Sequence, residues 1–165
     1  MFALEKVIKE LEINNIKLII IGLDCGEAGN IKKIIATRGL EGKVIVIGAV
    51  AYERVKDFLA IADIFVLPSL YEGLPLPLLE AMASGKAVIF SDLSSARQVI
   101  KEGVQGVLVK PADPDSLAKA IARLSLDNKM KKSLGNNAKK IAAGFDSFFE
   151  ARRLKEVYAQ ARESM

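Results

Sequence analysis

Hydrophobic residues are concentrated in five short, continuous runs that recur along the first two thirds of the chain. These runs cover residues 17–21, 44–47, 64–67, 87–90 and 107–109. A continuous apolar run, in contrast to an alternating one, is typical of a strand covered on both faces, as in a parallel sheet. The pattern therefore predicts five buried, parallel β-strands.

Segments with the helical spacing of apolar residues separate these runs. They cover residues 31–37, 54–61, 77–83 and 96–101, and an amphipathic segment at 1–11 precedes the first run. Further helices are predicted over residues 115–126, 128–143 and 147–161. Strands that alternate with helices of this size build a three-layer α/β sandwich with right-handed crossovers. We expect a single domain over residues 1–165, in which the helix at 147–161 can be displaced.

Composition restricts the chemistry that the chain can carry. It has 165 residues, a net charge of +4, one cysteine and no histidine. The single Cys25 excludes an intrachain disulfide and suits a reducing compartment, so we expect a cytoplasmic protein. The absence of histidine excludes most nucleophilic triads, histidine zinc sites and histidine general bases. The basic residues are scattered and no apolar run reaches the ~18 residues of a membrane span, so nucleic acid is not an expected partner and membrane contact is not indicated.

The most informative segment covers residues 68–88 and reads PSLYEGLPLPLLEAMASGKAV. A proline ends the third strand, Gly73 permits close approach of the backbone, and Pro77 can begin a helix. The loop therefore lies at the carboxyl edge of the sheet, where open α/β folds bind ligands. The start of the helix offers N–H groups suited to a diphosphate. Two carboxylates, Glu72 and Glu80, flank it and can accept hydrogen bonds from sugar hydroxyls.

Either glutamate taken alone is more often a plain surface residue, since glutamate is usually exposed. Glu80 differs because leucines precede it and Ala81, Met82 and Ala83 follow it, so that its helix is apolar nearly all round. A carboxylate in such a setting needs a partner. The combination of both glutamates with the loop therefore favours a binding function.

The same residues carry a resemblance to a known family. The segment from Glu72 to Glu80, with the following AMA, resembles the E-x7-E signature of family 4 glycosyltransferases. ADIFVLPS at 62–69, AVIFSD at 87–92 and GVQGVLV at 103–109 are similar to strands and turns of that family. The chain thus resembles the C-terminal, donor-nucleotide-binding domain of a retaining glycosyltransferase of the GT-B type, which has a Rossmann-like fold.

The resemblance implies a UDP-, GDP- or ADP-sugar as donor, with no metal and no other cofactor. It implies that Glu80 grips the ribose hydroxyls and that Glu72, the expected catalytic residue, lies near hydroxyls of the transferred sugar. Amides of the 73–78 segment are expected at the diphosphate; besides Gly73, those that can donate belong to Leu74, Leu76 and Leu78, because the intervening prolines lack an N–H.

The turn after the second strand is a further candidate. The resemblance places it against the base of the nucleotide, with Tyr52 close by, although a simple strand exit explains the same residues equally well. The turn consists of Gly48, Ala49 and Val50.

The sequence departs from the family at its start. Members begin this domain with a strand, a Gly-Arg-Leu-like turn and a lysine, whose cations neutralise the leaving diphosphate; these and the N-terminal acceptor-binding domain are absent from the sequence. Because stabilisation of developing charge is usually the largest catalytic contribution, we expect no meaningful sugar transfer by the chain alone. We expect the five remaining strands to close up in the order 2-1-3-4-5. Otherwise another chain or a swapped element would have to fill the gap.

The sequence also departs from the family pattern after the fourth strand. Ser94 and Ser95 replace a frequent Gly-Gly pair, and we expect these serines to cap the helix that follows.

Two alternative functions are consistent with the sequence. They are a stand-alone nucleotide or nucleotide-sugar binding module and a structural remnant for which Glu80 is dispensable. A two-component receiver would need an acidic cluster after the first strand, where only Asp24 and Glu27 occur, so it is disfavoured.

Overall fold

The computed structural model describes residues 1–73 and 75–145. The strands are β1 (Leu18–Ile21), β2 (Val44–Gly48), β3 (Ile64–Leu67), β4 (Ala87–Ser91) and β5 (Val107–Val109). The helices are α1 (Phe2–Lys9), α2 (Ala28–Arg38), α3 (Tyr52–Ile61), α4 (Leu76–Ala83), α5 (Pro114–Leu126) and α6 (Asn128–Ala142), with short 3₁₀ turns at Ala96–Gln98 and Ala143–Phe145. The predicted α/β fold with parallel strands is confirmed. The predicted helix at 147–161 lies outside the described residues, and none of the described helices is long and apolar enough to cross a membrane.

The strands form two separate parallel sheets. One pairs β1 with β2, and the other has the order β3-β4-β5. The predicted closure into one sheet of order 2-1-3-4-5 is therefore wrong, because β1 and β3 share no ladder in the part of the chain that the structure describes. Within the described residues, each of these two strands has one edge without a strand partner.

Packing against the helices explains why the two sheets stay apart. α1 precedes β1 in the chain and packs on α5, where Ala3 and Val7 bury their side chains against Ala118. The guanidinium of Arg38, at the end of α2, lies 3.9 Å from the centroid of the Phe2 ring and pairs with the Glu5 carboxylate. These contacts tie the end of α2 to α1, and thereby the unit β1-α2-β2 to α5.

The main core surrounds the central strand of the larger sheet. All five residues of β4 are buried. Val88 and Phe90 pack with α4 and α6, while Ala87 and Ile89 pack on the opposite face with α5. Each fully buried large side chain contributes about 1.5–3 kcal/mol to folding. This core fixes the carboxyl edge of β3-β4-β5, from which the loops of the site project.

Candidate active site

Two serine hydroxyls hold the loop that follows β3. Ser69 Oγ donates a hydrogen bond of 2.8 Å to Glu72 Oε1, and Ser95 Oγ donates one of 2.9 Å to the backbone carbonyl of Glu72. Ser95 is only 8% exposed, so this second bond is shielded from water. The Glu72 side chain is half-buried, and its other carboxylate oxygen accepts from no side chain in the described residues. Glu72 is therefore a fixed carboxylate that can accept a hydrogen bond from outside the protein.

The role of Ser95 corrects the expectation that this serine caps the next helix. The 3₁₀ turn Ala96–Gln98 has no side-chain cap, and the Ser95 hydroxyl reaches the Glu72 loop instead. Sequence reasoning missed this contact. The carboxyl ends of neighbouring parallel strands meet at one edge of a sheet. Because Ser95 closely follows β4 and Glu72 closely follows β3, the sequence could have indicated that the two residues lie near each other.

The start of α4 offers fewer free amides than the sequence predicts. Pro75 is the N-cap, and its carbonyl accepts the N–H of Leu78 at 3.0 Å. Pro77 has no N–H to donate. Leu76 is largely exposed, and its amide has no hydrogen-bond partner among the described residues. Of the predicted donors, Leu76 is thus available while the Leu78 amide is engaged and its side chain is buried.

The other two predicted residues of this loop are Leu74 and Gly73. Leu74 lies outside the described residues. Gly73 is exposed, and a Cβ added to it would meet no atom of the protein within 4 Å. The space beside the Gly73 backbone is therefore open to an approaching molecule.

Glu80 lies on the less buried side of α4. Leu78, Ala81 and Met82 of this helix are buried, while Glu80 is half-buried. Hydrogen bonding with the Glu80 carboxylate, and its charge, raise the pKa of Tyr52 above its usual value. Glu80 is paired with no cation in the described residues, so its carboxylate can accept hydrogen bonds from a ligand.

The predicted base-binding turn lies between β2 and α3. Gly48 ends β2 with a φ of 81°, a left-handed conformation that favours glycine, and its carbonyl accepts the Gly22 N–H at 3.0 Å. A bulge in the β1–β2 ladder precedes this point. Ala49 is exposed and Val50 half-buried, and Tyr52 follows after one further residue. The turn from Gly48 to Val50 thus lies at the carboxyl end of β2, directly before α3.

In the loop after β1, a carboxylate of the loop itself accepts hydrogen bonds from backbone amides. Asp24 Oδ1 accepts hydrogen bonds from the Gly26 and Ala28 amides, at 2.9 and 3.0 Å. The carboxylate of Asp24 thus lies at the start of α2, and the Gly26 and Ala28 amides are not available to a phosphate group. In residues 1–73 and 75–145 no group of three or more cysteine or carboxylate side chains could hold a metal ion.

An ion pair that the sequence analysis did not predict lies directly after β4. Arg97 donates to both carboxylate oxygens of Asp92, with distances of 2.7 and 2.8 Å. Arg97 holds the pKa of Asp92 below its usual value. This pair places a bidentate, charge-assisted contact at the same sheet edge as the Glu72 loop.

A family profile, a related sequence and two solved structures all show that the chain is similar to glycosyltransferases or sugar-nucleotide-binding enzymes, as follows. The sequence profile described as Glycosyl transferases group 1 matches residues 2–141. An uncharacterised glycosyltransferase of Methanocaldococcus jannaschii is 35% identical over 133 residues, which make up 80% of this chain and 34% of that protein. Sucrose-phosphate synthase of Thermosynechococcus elongatus superposes with a TM-score of 0.85 at 26% identity, over 99% of this chain and 42% of that one. Anabaena HepE in complex with UDP-glucose superposes with a TM-score of 0.83 at 25% identity, over 96% and 43%.

Proposed function

The chain belongs to the group 1 glycosyl transferases, and from that membership we propose that it is the donor-nucleotide-binding domain of a retaining, family 4 enzyme of the GT-B type. It spans 34% of the length of its archaeal relative and less than half of either solved chain. The observation that carries the proposal is the arrangement at the carboxyl edge. There Ser69 and Ser95 hold the loop of Glu72, and α4, which carries the half-buried Glu80, begins with a Leu76 amide that has no partner among the described residues.

The proposed donor is a nucleoside diphosphate sugar, and UDP is the first nucleotide to test because HepE was solved with UDP-glucose. Glu80 would accept hydrogen bonds from the two ribose hydroxyls, which a carboxylate does well. The base would lie against the turn from Gly48 to Val50. The Leu76 amide and the positive end of the α4 dipole would face the diphosphate.

Glu72 is proposed to act on the transferred sugar. Ser69 and Ser95 fix its side chain and its backbone, so its remaining carboxylate oxygen is oriented before a ligand arrives. Hydrogen bonds from sugar hydroxyls to this oxygen would position the anomeric carbon for front-face attack, with no protein nucleophile. Such positioning lowers the barrier because the orientation is already fixed on binding.

We further propose that the 165-residue chain binds the donor but does not transfer the sugar by itself. Transfer needs an acceptor site and cations that stabilise the leaving diphosphate. At the described carboxyl edge, Arg97 is already neutralised by the Asp92 carboxylate, and Lys110, which follows β5, is the other cation that directly continues a strand. We therefore assign catalysis to a longer polypeptide or assembly that includes this domain.

Calorimetric titration of UDP, GDP, ADP and their glucose conjugates into the purified chain tests the proposal. We expect one nucleotide to bind saturably and Glu80→Ala to weaken its binding at least tenfold, about 1.4 kcal/mol. Glu41→Ala serves as the matched control, because Glu41 is an exposed glutamate that precedes β2, at the opposite edge of the sheet. Absence of heat with every nucleotide near millimolar concentration, or equal weakening by both variants, would contradict the proposal.

A further inference from the structure

One hydrogen bond joins the turn after β4 to the loop that carries Glu72. Ser95 Oγ donates it to the Glu72 carbonyl at 2.9 Å, and Ser95 is 8% exposed. No other hydrogen bond connects residues 92–98 with residues 68–73 in the part of the chain that the structure describes. Because this bond ends on the backbone, it fixes where Glu72 lies, whereas the bond from Ser69 fixes only the rotamer of its side chain.

The turn that carries Ser95 is itself held at both ends. The Asp92 amide donates to the Val109 carbonyl at 2.7 Å, so the start of the turn is tied to β5. Arg97 donates to both carboxylate oxygens of Asp92, at 2.7 and 2.8 Å, and this ion pair closes the turn. Ala96, within the turn, is fully buried in the main core. A braced segment therefore presents Ser95 to the Glu72 loop.

We propose that Ser95, braced by the Asp92–Arg97 ion pair, is a positioning residue that determines how tightly this domain holds the sugar of its donor, as distinct from the nucleotide. This inference rests on the proposed function, in which Glu72 binds hydroxyls of the transferred sugar. The remaining carboxylate oxygen of Glu72 is oriented only while the loop keeps its place. A preorganised acceptor loses less entropy when the ligand binds, so the position of this loop contributes to sugar affinity.

The nucleotide part of the proposed site does not depend on this turn. Glu80 and the Leu76 amide belong to α4, and the buried residues of that helix fix it in the main core. Loss of the Ser95 hydroxyl therefore releases Glu72 and leaves the proposed ribose and diphosphate contacts in place. The consequence is an effect on nucleotide sugars that free nucleotides do not show.

Two substitutions remove the hydrogen bond and its brace separately. For Ser95→Ala, we expect the ratio of the dissociation constants of UDP-glucose and UDP to rise about three- to tenfold, the range of one lost hydrogen bond. For Arg97→Gln the ratio should rise only about two- to threefold, because the Arg97 side chain is 68% exposed and its ion pair is correspondingly weaker. In both variants the dissociation constant of UDP itself should stay within about twofold of the wild-type value, as for independent sites.

Calorimetric titration of UDP and UDP-glucose into the full chain measures both constants, and the GDP or ADP pair replaces them if the chain binds that base. Ser94→Ala is the matched control, because Ser94 is an exposed neighbour that makes no hydrogen bond among the described residues. Lys6→Gln is the control for Arg97→Gln, since it breaks ion pairs of α1 instead. If urea denaturation shows that Ser95→Ala does not fold, Arg97→Gln decides the question by the same criteria.

A double-mutant cycle with Glu72 separates positioning from other effects. In a Glu72→Ala background, Ser95→Ala should leave the ratio unchanged. An undiminished effect in that background overturns the proposal. Equal weakening of UDP and UDP-glucose by Ser95→Ala or Arg97→Gln also overturns it, because the substitution would then act on the whole fold or on the diphosphate.

The failure of this inference differs from the failure of the proposed function. If Glu72→Ala raises the ratio and Ser95→Ala does not, Ser95 has no positioning role and the proposed function stands. If the wild-type chain binds no nucleotide, or Glu72→Ala leaves the ratio unchanged, the proposed function or its role for Glu72 fails. The positioning role of Ser95 then fails with it.

Discussion

The two parallel sheets are built from equally apolar strands but differ sharply in burial. Every residue of β4 is buried, whereas β1 and β2 contain no buried residue. β4 has a strand on each edge and helices on both faces. The pair β1–β2 has one ladder, and α2, which connects its two strands, also buries no residue. An apolar run thus predicts that a strand forms, but the number of neighbours decides how far it is buried.

The comparison matters for function because the candidate site draws on both regions. Glu72 and Glu80 are held by the well-packed sheet, whereas the turn from Gly48 to Val50 belongs to the exposed pair. α3 joins the two, since it begins after that turn and packs Leu59 into the main core. The nucleotide would therefore bind between a rigid part and a weakly packed part of the molecule.

The largest expected difference concerns matched isoleucines of the two sheets. Ile89 of β4 is 0% exposed, and Ile47 of β2 is 43% exposed. Ile89→Ala should lower the free energy of unfolding by about 2–5 kcal/mol, because it leaves a cavity in the core. Ile47→Ala should lower it by about 1 kcal/mol or less, as expected for a substitution at an exposed site. Urea denaturation of both variants measures the difference, and equal losses would mean that β1–β2 is as well packed as β4.

A smaller difference, of opposite sign, is expected for glycines in the helices of the two regions. A Cβ on Gly135 of α6 would lie 2.9 Å from the carbonyl carbon of Gly85, whereas a Cβ on Gly29 of α2 would meet nothing within 4 Å. Gly135→Ala should therefore destabilise the fold by about 1–3 kcal/mol through overpacking. Gly29→Ala should stabilise it by up to about 1 kcal/mol, since alanine favours the helix.

Thermal or urea denaturation of these two glycine variants provides the measurement. Stabilisation by Gly135→Ala would show that α6 can move away from the Gly85 turn without cost. Destabilisation by Gly29→Ala would show that α2 has a close neighbour on that side.

The smallest expected effect is a pH-dependent loss of stability of the unit β1-α2-β2. Arg38 and then Lys9 hold the pKa of Glu5 below its usual value. The Glu5 carboxylate therefore stabilises the folded chain above its unfolded-state pKa of about 4.3. This contribution is lost as the pH falls through the lower, folded-state pKa.

Hydrogen exchange of the α2 amides, compared between the wild type and Glu5→Gln, measures this effect. Exchange should be faster in Glu5→Gln at pH 7, and the difference should vanish below the folded-state pKa of Glu5. Asp92→Asn is the control, because it breaks a carboxylate–arginine pair of the other region. Equal acceleration of α2 by Asp92→Asn would refute a local role of the Glu5–Arg38 pair.

The strands and most helices could be predicted because their signals are local. Ile64–Leu67 and Val107–Val109 have the predicted bounds, and Asp113 caps α5 through the Asp115 and Ser116 amides. The segment 96–101 was predicted as a helix but forms only the short turn Ala96–Gln98. There the Ser95 hydroxyl donates a hydrogen bond to the Glu72 loop instead of capping the helix. Sequence patterns do not predict which of these two hydrogen bonds a serine makes.

The sequence by itself determined which segments form the strands and most of the helices, and that Glu72 and Glu80 follow the carboxyl end of β3. Periodicity, capping residues and the polarity of parallel strands act over a few residues, so the order of amino acids suffices for them. Only the tertiary structure decided that β1 stays apart from β3 and that Ser95 holds the Glu72 loop. These contacts join residues distant in the chain, and they depend on how helices pack around a core, which has no signature in any one segment.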